Sequence, residues 1–251
     1  MRLKVIACKV LFREISLIAA NCENYLDVTY IRQGLHNTPE LLQKTLRAEL
    51  EKIDAGNDVY TYKSRCDYKE RDFDAILLAY GLCSNGLVGL CSKKYPLVAP
   101  RAHDCITLFL GSQEAYQNSL NSQGGTFWYN ASWIENSSFM PSKESVEALS
   151  VIYTERYGEE SAKYLIEQEW PESYKRCAYI KWDELDFPQY EKYTEDAAAY
   201  LGASFDVVRG DSGMLRDFIE GRWDDERFLV TKPGQKIAAD YSDARRIITA
   251  E

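Results

Sequence analysis

The chain has 251 residues, 45% hydrophobic and 27% charged, with a formal net charge of −9 and seven cysteines. This is a globular composition, long enough for one large domain or two lobes. An acidic chain without a basic stripe is a poor partner for nucleic acid or an anionic membrane, and no apolar run approaches the roughly 20 residues of a membrane span.

The N-terminal stretch MRLKVIACKVLFRE scatters charges through its apolar residues and has no small-residue cleavage site, so no signal peptide is expected. The odd cysteine count does not fit the disulfide framework of a small secreted domain, and a reducing cytoplasm with free thiols is expected. Residues 144–196 hold 14 Asp and Glu against 6 Lys and Arg, −8 of the net −9. They read as a solvated helical face, with a docking surface for a basic partner as the alternative.

Taken in order, residues 3–7 form a short apolar strand that runs into Cys8. Val10, Leu11, Ile15, Leu17 and Ile18 share one side of a helix ending near Asn21. LDVTYI (26–31), β-branched and aromatic, predicts a second strand, and a loop carrying His36 follows it. Thr38 as cap and Pro39 at the first position predict a helix that carries Leu41, Leu42, Leu46 and Leu50 to about Ile53. Residues 55–72 read as polar loop with a short strand at 59–62. AILLAY (75–80) and PLVA (96–99) are short apolar runs that enter glycine- or proline-marked loops at once, the pattern of buried parallel strands. A helix is expected between Cys83 and Cys91.

Beyond Ser112 the pattern predicts a helix to Leu120, a strand at TFWY (126–129), helices over 143–157 and 159–169, and a strand at CAYIKW (177–182). A helix over 190–201, a strand over 205–208, a helix over 214–219 and a last strand over 228–231 follow, and a polar tail closes the chain. The alternation implies an α/β fold, with mostly parallel sheets and helices on both faces. Two lobes are expected: residues 1–135, an α/β lobe carrying a Cys/His site, and 136–251, a helical insert with a smaller α/β lobe. The loop Gly210-Asp211-Ser212-Gly213 leaves a strand much as residues 81–86 do, and is expected to close the same cleft.

Ligands of open α/β sheets bind beyond the carboxyl ends of the strands. Cys8, His36, Cys83, His103 and Cys105 all follow predicted strands, so parallel neighbours would bring them to one edge. His103-x-Cys105 places an imidazole and a thiol two residues apart, and with Cys83 they form a candidate zinc set that leaves one position open. Cys8 is a fourth ligand or a nucleophile, and His36 a ligand or a base. Asp104 is placed to orient an imidazole. Cys83 and Cys105 are expected to precede helices, whose dipoles would lower their pKa values. Arg13, Glu14 and Arg101 are candidates for binding a substrate carboxylate or phosphate. Gly81 and Asn85 stand in a loop that is either a tight turn or an anion cradle. Neither a phosphate-loop pattern nor GxSxG is present.

The stretches ACKVLFRE (7–14), LHNTPELL (35–42), YGLCSNG (80–86) and PRAHDCITLFLGS (100–112) resemble an uncharacterised domain family of anaerobic bacteria and methanogenic archaea. The likeness covers most of residues 1–135 and extends weakly to TERYGEE (154–160) and GDSGML (210–215). It implies an association with corrinoid-dependent methyl transfer and a corrinoid protein as partner. Zinc methyltransferases of those systems use a His-x-Cys pair and a distant cysteine to activate a thiol, a role matched here by His103, Cys105 and Cys83 or Cys8. Those enzymes are larger barrels than this chain can form. Three readings stay open. One is a zinc-thiolate, methyltransferase-like enzyme acting on a small thiol or one-carbon substrate. A second is an accessory protein holding an iron–sulfur cluster or a corrinoid. The third is a metal-free two-cysteine enzyme of racemase type, which needs Cys177 from the second half.

Overall fold

A computed structural model describes the chain except residues 57–71, 84, 123–124, 138–139, 170–173, 242–246 and 251. The expected strand at 59–62 lies outside the described residues, as does Cys66. In chain order the elements are β1 (Arg2–Cys8), α1 (Phe12–Asn21), β2 (Tyr25–Ile31), α2 (Pro39–Asp54), β3 (Ala75–Ala79), β4 (Leu97–Pro100), α3 (Cys105–Leu110), α4 (Gln113–Ser122), β5 (Thr126–Tyr129) and α5 (Ala131–Asn136). They continue as α6 (Lys143–Tyr157), α7 (Glu159–Glu169), β6 (Arg176–Lys181), α8 (Pro188–Leu201), β7 (Ser204–Arg209), α9 (Gly213–Glu220), β8 (Phe228–Val230), β9 (Ile237–Ala239) and β10 (Ile247–Thr249). Single 3-10 turns sit at Lys9–Leu11 and Leu35–Asn37.

The fold is α/β, as expected, and it divides into two compact units: Met1–Gly111 with Ser212–Glu251, and Ser112–Asp211. The expected boundary after residue 135 falls inside the second unit. Strand β5 pairs with β6 in a separate sheet, and the chain from α9 onward returns to the first unit.

The first unit is built on a sheet of order β2-β1-β3-β4-β8. The first four strands are parallel, and β8 closes the edge antiparallel to β4. Every residue of β3 is buried, as its unbroken apolar run requires of a strand covered on both faces. Alternate residues Ile76, Leu78 and Tyr80 join Ile6, Leu97 and Ala99 in one core with Leu42, Leu46, Leu50 and Ile53. Those four positions form one stripe of α2 and are each 3% exposed or less. Helix α9 packs on α1 and α3. The β9–β10 hairpin docks on the segment after β3, where Gly89 N–H donates to the Ile237 carbonyl at 2.7 Å and Ile237 N–H to that of Leu90 at 3.0 Å.

The second unit has its own parallel sheet, β5-β6-β7, with α8 packed on β6 and β7 and with α6 against α7. Its core gathers Tyr129, Met140, Cys177, Tyr179, Ala197 and Ala198. Cys177 is fully buried, with its Sγ 3.8 Å from the Tyr129 hydroxyl. Its position is that of a packed core residue rather than a reactive thiol.

Candidate functional site

The register of the first sheet brings its parallel strands to an end on one level. Cys8 pairs with Ile31, Ala7 with Ala79, and Leu77 with Val98, so Ala79 stands level with Pro100. The chain goes from β1 to β2 on one side, then crosses to β3 on the other. The exits of β1 and β3 therefore diverge at a topological switch point, the position at which open α/β sheets bind their ligands. Cys8 ends β1 and Cys83 follows β3, one on each side of that point.

The loops after β3 and β4 are stitched together. Leu82 N–H donates to the Ala102 carbonyl at 2.8 Å, and Cys83 N–H to that of His103 at 3.2 Å. Gly81 makes this approach possible, since a Cβ there would lie 2.6 Å from the Asp104 Cα. Gly81 thus serves the packing of the two loops. The far end of the loop is pinned through Asn85, whose carbonyl accepts from Gln43 Nε2 at 2.9 Å and whose Oδ1 accepts from the Tyr241 hydroxyl at 2.6 Å.

Cys8, Cys83 and Cys105, all partly buried and unoxidised, converge here. They are close enough for charge on one to act on the others. Burial pushes the Cys83 thiol up to about 12, with Cys8 and Asp104 adding to the shift. Cys105 is raised well above the ordinary thiol range by burial, then by Asp104, Cys83 and Cys8. Burial also raises Cys8, against backbone hydrogen bonds from Val10 and Lys9. The expected lowering by helix dipoles is overturned, because desolvation outweighs it. Cys83, moreover, is followed by turns and not by a helix. His36, in the 3-10 turn after β2, is held below its usual pKa by burial, while the nearby Asp104 pulls the other way.

Asp104 caps α3, its Oδ1 accepting from Ile106 N–H at 3.0 Å while Oδ2 lies 3.2 Å from His103 Nδ1. The His103 side chain is 59% exposed. It is more open to solvent than the three thiols. Arg101 is drawn away from the thiols. It is buried, and its guanidinium engages the Asp225 carboxylate at 2.8 Å and the Ile247 carbonyl. Arg13 and Glu14 lie in the first turn of α1, with Glu14 buried, and both engage other groups. Among the described residues, no group of three or more His, Cys, Asp and Glu side chains is already arranged to hold a metal ion.

One member of the pocket lies outside the expected set. Tyr80 follows β3 directly and is 4% exposed, and among the described residues its Oη has no hydrogen-bond partner. The hydroxyl is near enough to Cys8 and Cys83 for both to raise its pKa, after burial as the main cause. The alternation Ile76, Leu78, Tyr80 was the available signal: it places the phenol on the same sheet face as Cys8.

A family profile described as "Protein of unknown function (DUF1638)" matches residues 30–219. The chain belongs to this family. The matched span of the DUF1638 family includes His36, Tyr80, Cys83, Asp104 and Cys105, and it begins after Cys8. Neither the curated proteins nor the solved structures contain a match. Among the described residues no helix is long and apolar enough to cross a membrane.

Proposed function

We propose that this chain is a metal-thiolate enzyme whose pocket lies at the β1–β3 switch point. The observation that carries the reading is the convergence of Cys8, Cys83 and Cys105 from three adjacent parallel strands. The chemistry of the donor set, three thiols that converge beside a carboxylate, fits a soft-tolerant divalent cation, zinc first, which would hold the sulfurs as thiolates. Cys8 replaces the solvent-exposed His103 in the ligand set we assign. The sulfurs must draw together to bind, because no metal-holding group stands ready among the described residues. When bound, zinc would supply a Lewis acid that holds a substrate thiol as thiolate. His36, whose pKa burial lowers, would take the proton of an incoming thiol, and Asp104 would orient the loop beside it.

The resemblance noted above adds a small thiol or one-carbon substrate, a corrinoid-linked methyl-transfer pathway and a corrinoid protein as partner. The free thiols suit a reducing cytoplasm. A second reading is a metal-free cysteine pocket, since no metal-holding group stands ready among the described residues.

The test is metal content and the absorption spectrum of anaerobically purified protein, compared with Cys8→Ser, Cys83→Ser, Cys105→Ser and His103→Ala. We expect about one zinc per chain, lost in each serine variant and kept in His103→Ala. A brown protein with iron and sulfide would favour the cluster-binding alternative. Equal metal content in all four variants, or no metal in any, would leave only the metal-free pocket.

A further inference from the structure

We propose that Tyr80 is a substrate-binding residue, whose phenol donates a hydrogen bond to a neutral carbonyl oxygen of the ligand that meets the pocket sulfurs. The inference rests on reading this pocket as a ligand site, and it names the ligand's chemistry. A phenol 4% exposed with no partner among the described residues carries a desolvation cost that a native fold seldom leaves uncompensated. Its surroundings say where the compensation comes from. The ring is held in the core by the strand alternation, and the hydroxyl sits beside Cys8 and Cys83, both partly open to solvent. A ligand reaching the sulfurs brings its neighbouring atoms to this donor. The acceptor is neutral because the ring stands among apolar core residues, where an uncharged oxygen is desolvated at far lower cost than an anion. The class is a carbonyl compound, an amide, thioester or aldehyde, with its reactive atom next to the carbonyl carbon.

Two alkylating probes of similar reach separate this role from packing. Iodoacetamide carries a carbonyl oxygen beside its reactive methylene, and iodomethane carries none. In both reactions the thiol gives its proton to buffer, sulfur bonds to carbon and iodide leaves with the bonding pair. The full chain, reduced and dialysed against chelator, is treated with each probe, and modification of Cys8 and Cys83 is followed by peptide mass spectrometry. We expect the rate ratio of iodoacetamide to iodomethane to exceed that of a free cysteine peptide. Tyr80→Phe should lose about fivefold in the iodoacetamide rate, the worth of one net hydrogen bond, and keep its iodomethane rate. The melting temperature of Tyr80→Phe should equal or exceed that of the parent chain, because the lost hydroxyl had no partner. An unchanged ratio, an equal loss with both probes, a lowered melting temperature or two unreactive thiols would each overturn the inference. Zinc measured on the same preparations before chelation keeps the two ideas apart. Absence of zinc with an intact carbonyl preference removes the metal reading alone, and zinc without the preference removes the role of Tyr80 alone.

Discussion

Cys83 holds a φ of 45°, a left-handed backbone that costs a residue with a Cβ about 1–2 kcal/mol. Two residues on, Asn85 is also left-handed at 71°, but asparagine accepts that region far more readily. Most loops would place glycine at position 83. A thiol held there against the local preference of the chain suggests that its chemistry is used. The contrast between two substitutions tests this. Cys83→Ser removes the thiolate donor and keeps the strain, whereas Cys83→Gly removes both. We expect Cys83→Gly to be about 0.5–1 kcal/mol more stable than Cys83→Ser in urea unfolding, after allowance for the entropy glycine gains in the unfolded chain, with both variants losing metal. Equal stability would mean that the backbone at Cys83 is unstrained. The position of Cys83 at a strand exit was legible in the sequence. Its left-handed backbone was not, because no glycine marks it, and neither was the rise in its pKa, because burial depends on which loops stack above it.

At the level of elements, periodicity located most strands and helices to within a residue or two. AILLAY became β3, TFWY became β5, and the two acidic helices became α6 and α7. The failures are physical. The segment after Cys83 forms turns instead of a helix, since two left-handed residues and Gly86 and Gly89 crowd into it. Strand β8 runs antiparallel, and β9 and β10 come from a stretch read as polar tail. Strands of three residues are too short to show a period. The β1–β2 pairing hides a further feature. Lys4 lies opposite Asp27 and is 1% exposed, its Nζ 2.9 Å from Asp27 Oδ1. A buried pair adds little over an apolar pair of the same shape, but removing one partner takes away a charge-assisted hydrogen bond from a buried ammonium. We expect Asp27→Ala to cost about 1.5–3 kcal/mol, the worth of one hydrogen bond to a charged group, and Lys4→Met with Asp27→Leu to cost less, both read from urea unfolding midpoints at equal slope. A small effect of Asp27→Ala would show that the carboxylate is not what stabilises the Lys4 ammonium.

For the whole molecule, the chain enters the second unit at Ser112 and leaves it at Asp211, while every thiol of the candidate site belongs to the first unit. This arrangement was illegible in the sequence: strand and helix alternate in both units, so no change of pattern marks residues 112 and 211. Two separate cores imply two units able to fold separately. Residues 112–211 expressed alone should therefore unfold in urea in one cooperative transition. Residues 1–111 joined to 212–251 through a Gly–Ser linker should also fold, with the linker varied in length because the reach of a flexible chain grows only with the square root of its residues. Cys8, His36, Tyr80, Cys83, Asp104 and Cys105 all remain in the joined protein, so it should keep the metal content of the intact chain and its preference for iodoacetamide. If both survive, the ligand-binding groups are complete in the first unit, and any need for residues 112–211 lies in turnover or partner recognition. If the joined protein folds but loses both, the site draws on the second unit. Gly210 and Asp211, which the sequence marks as a strand-exit loop, are then the first positions to substitute.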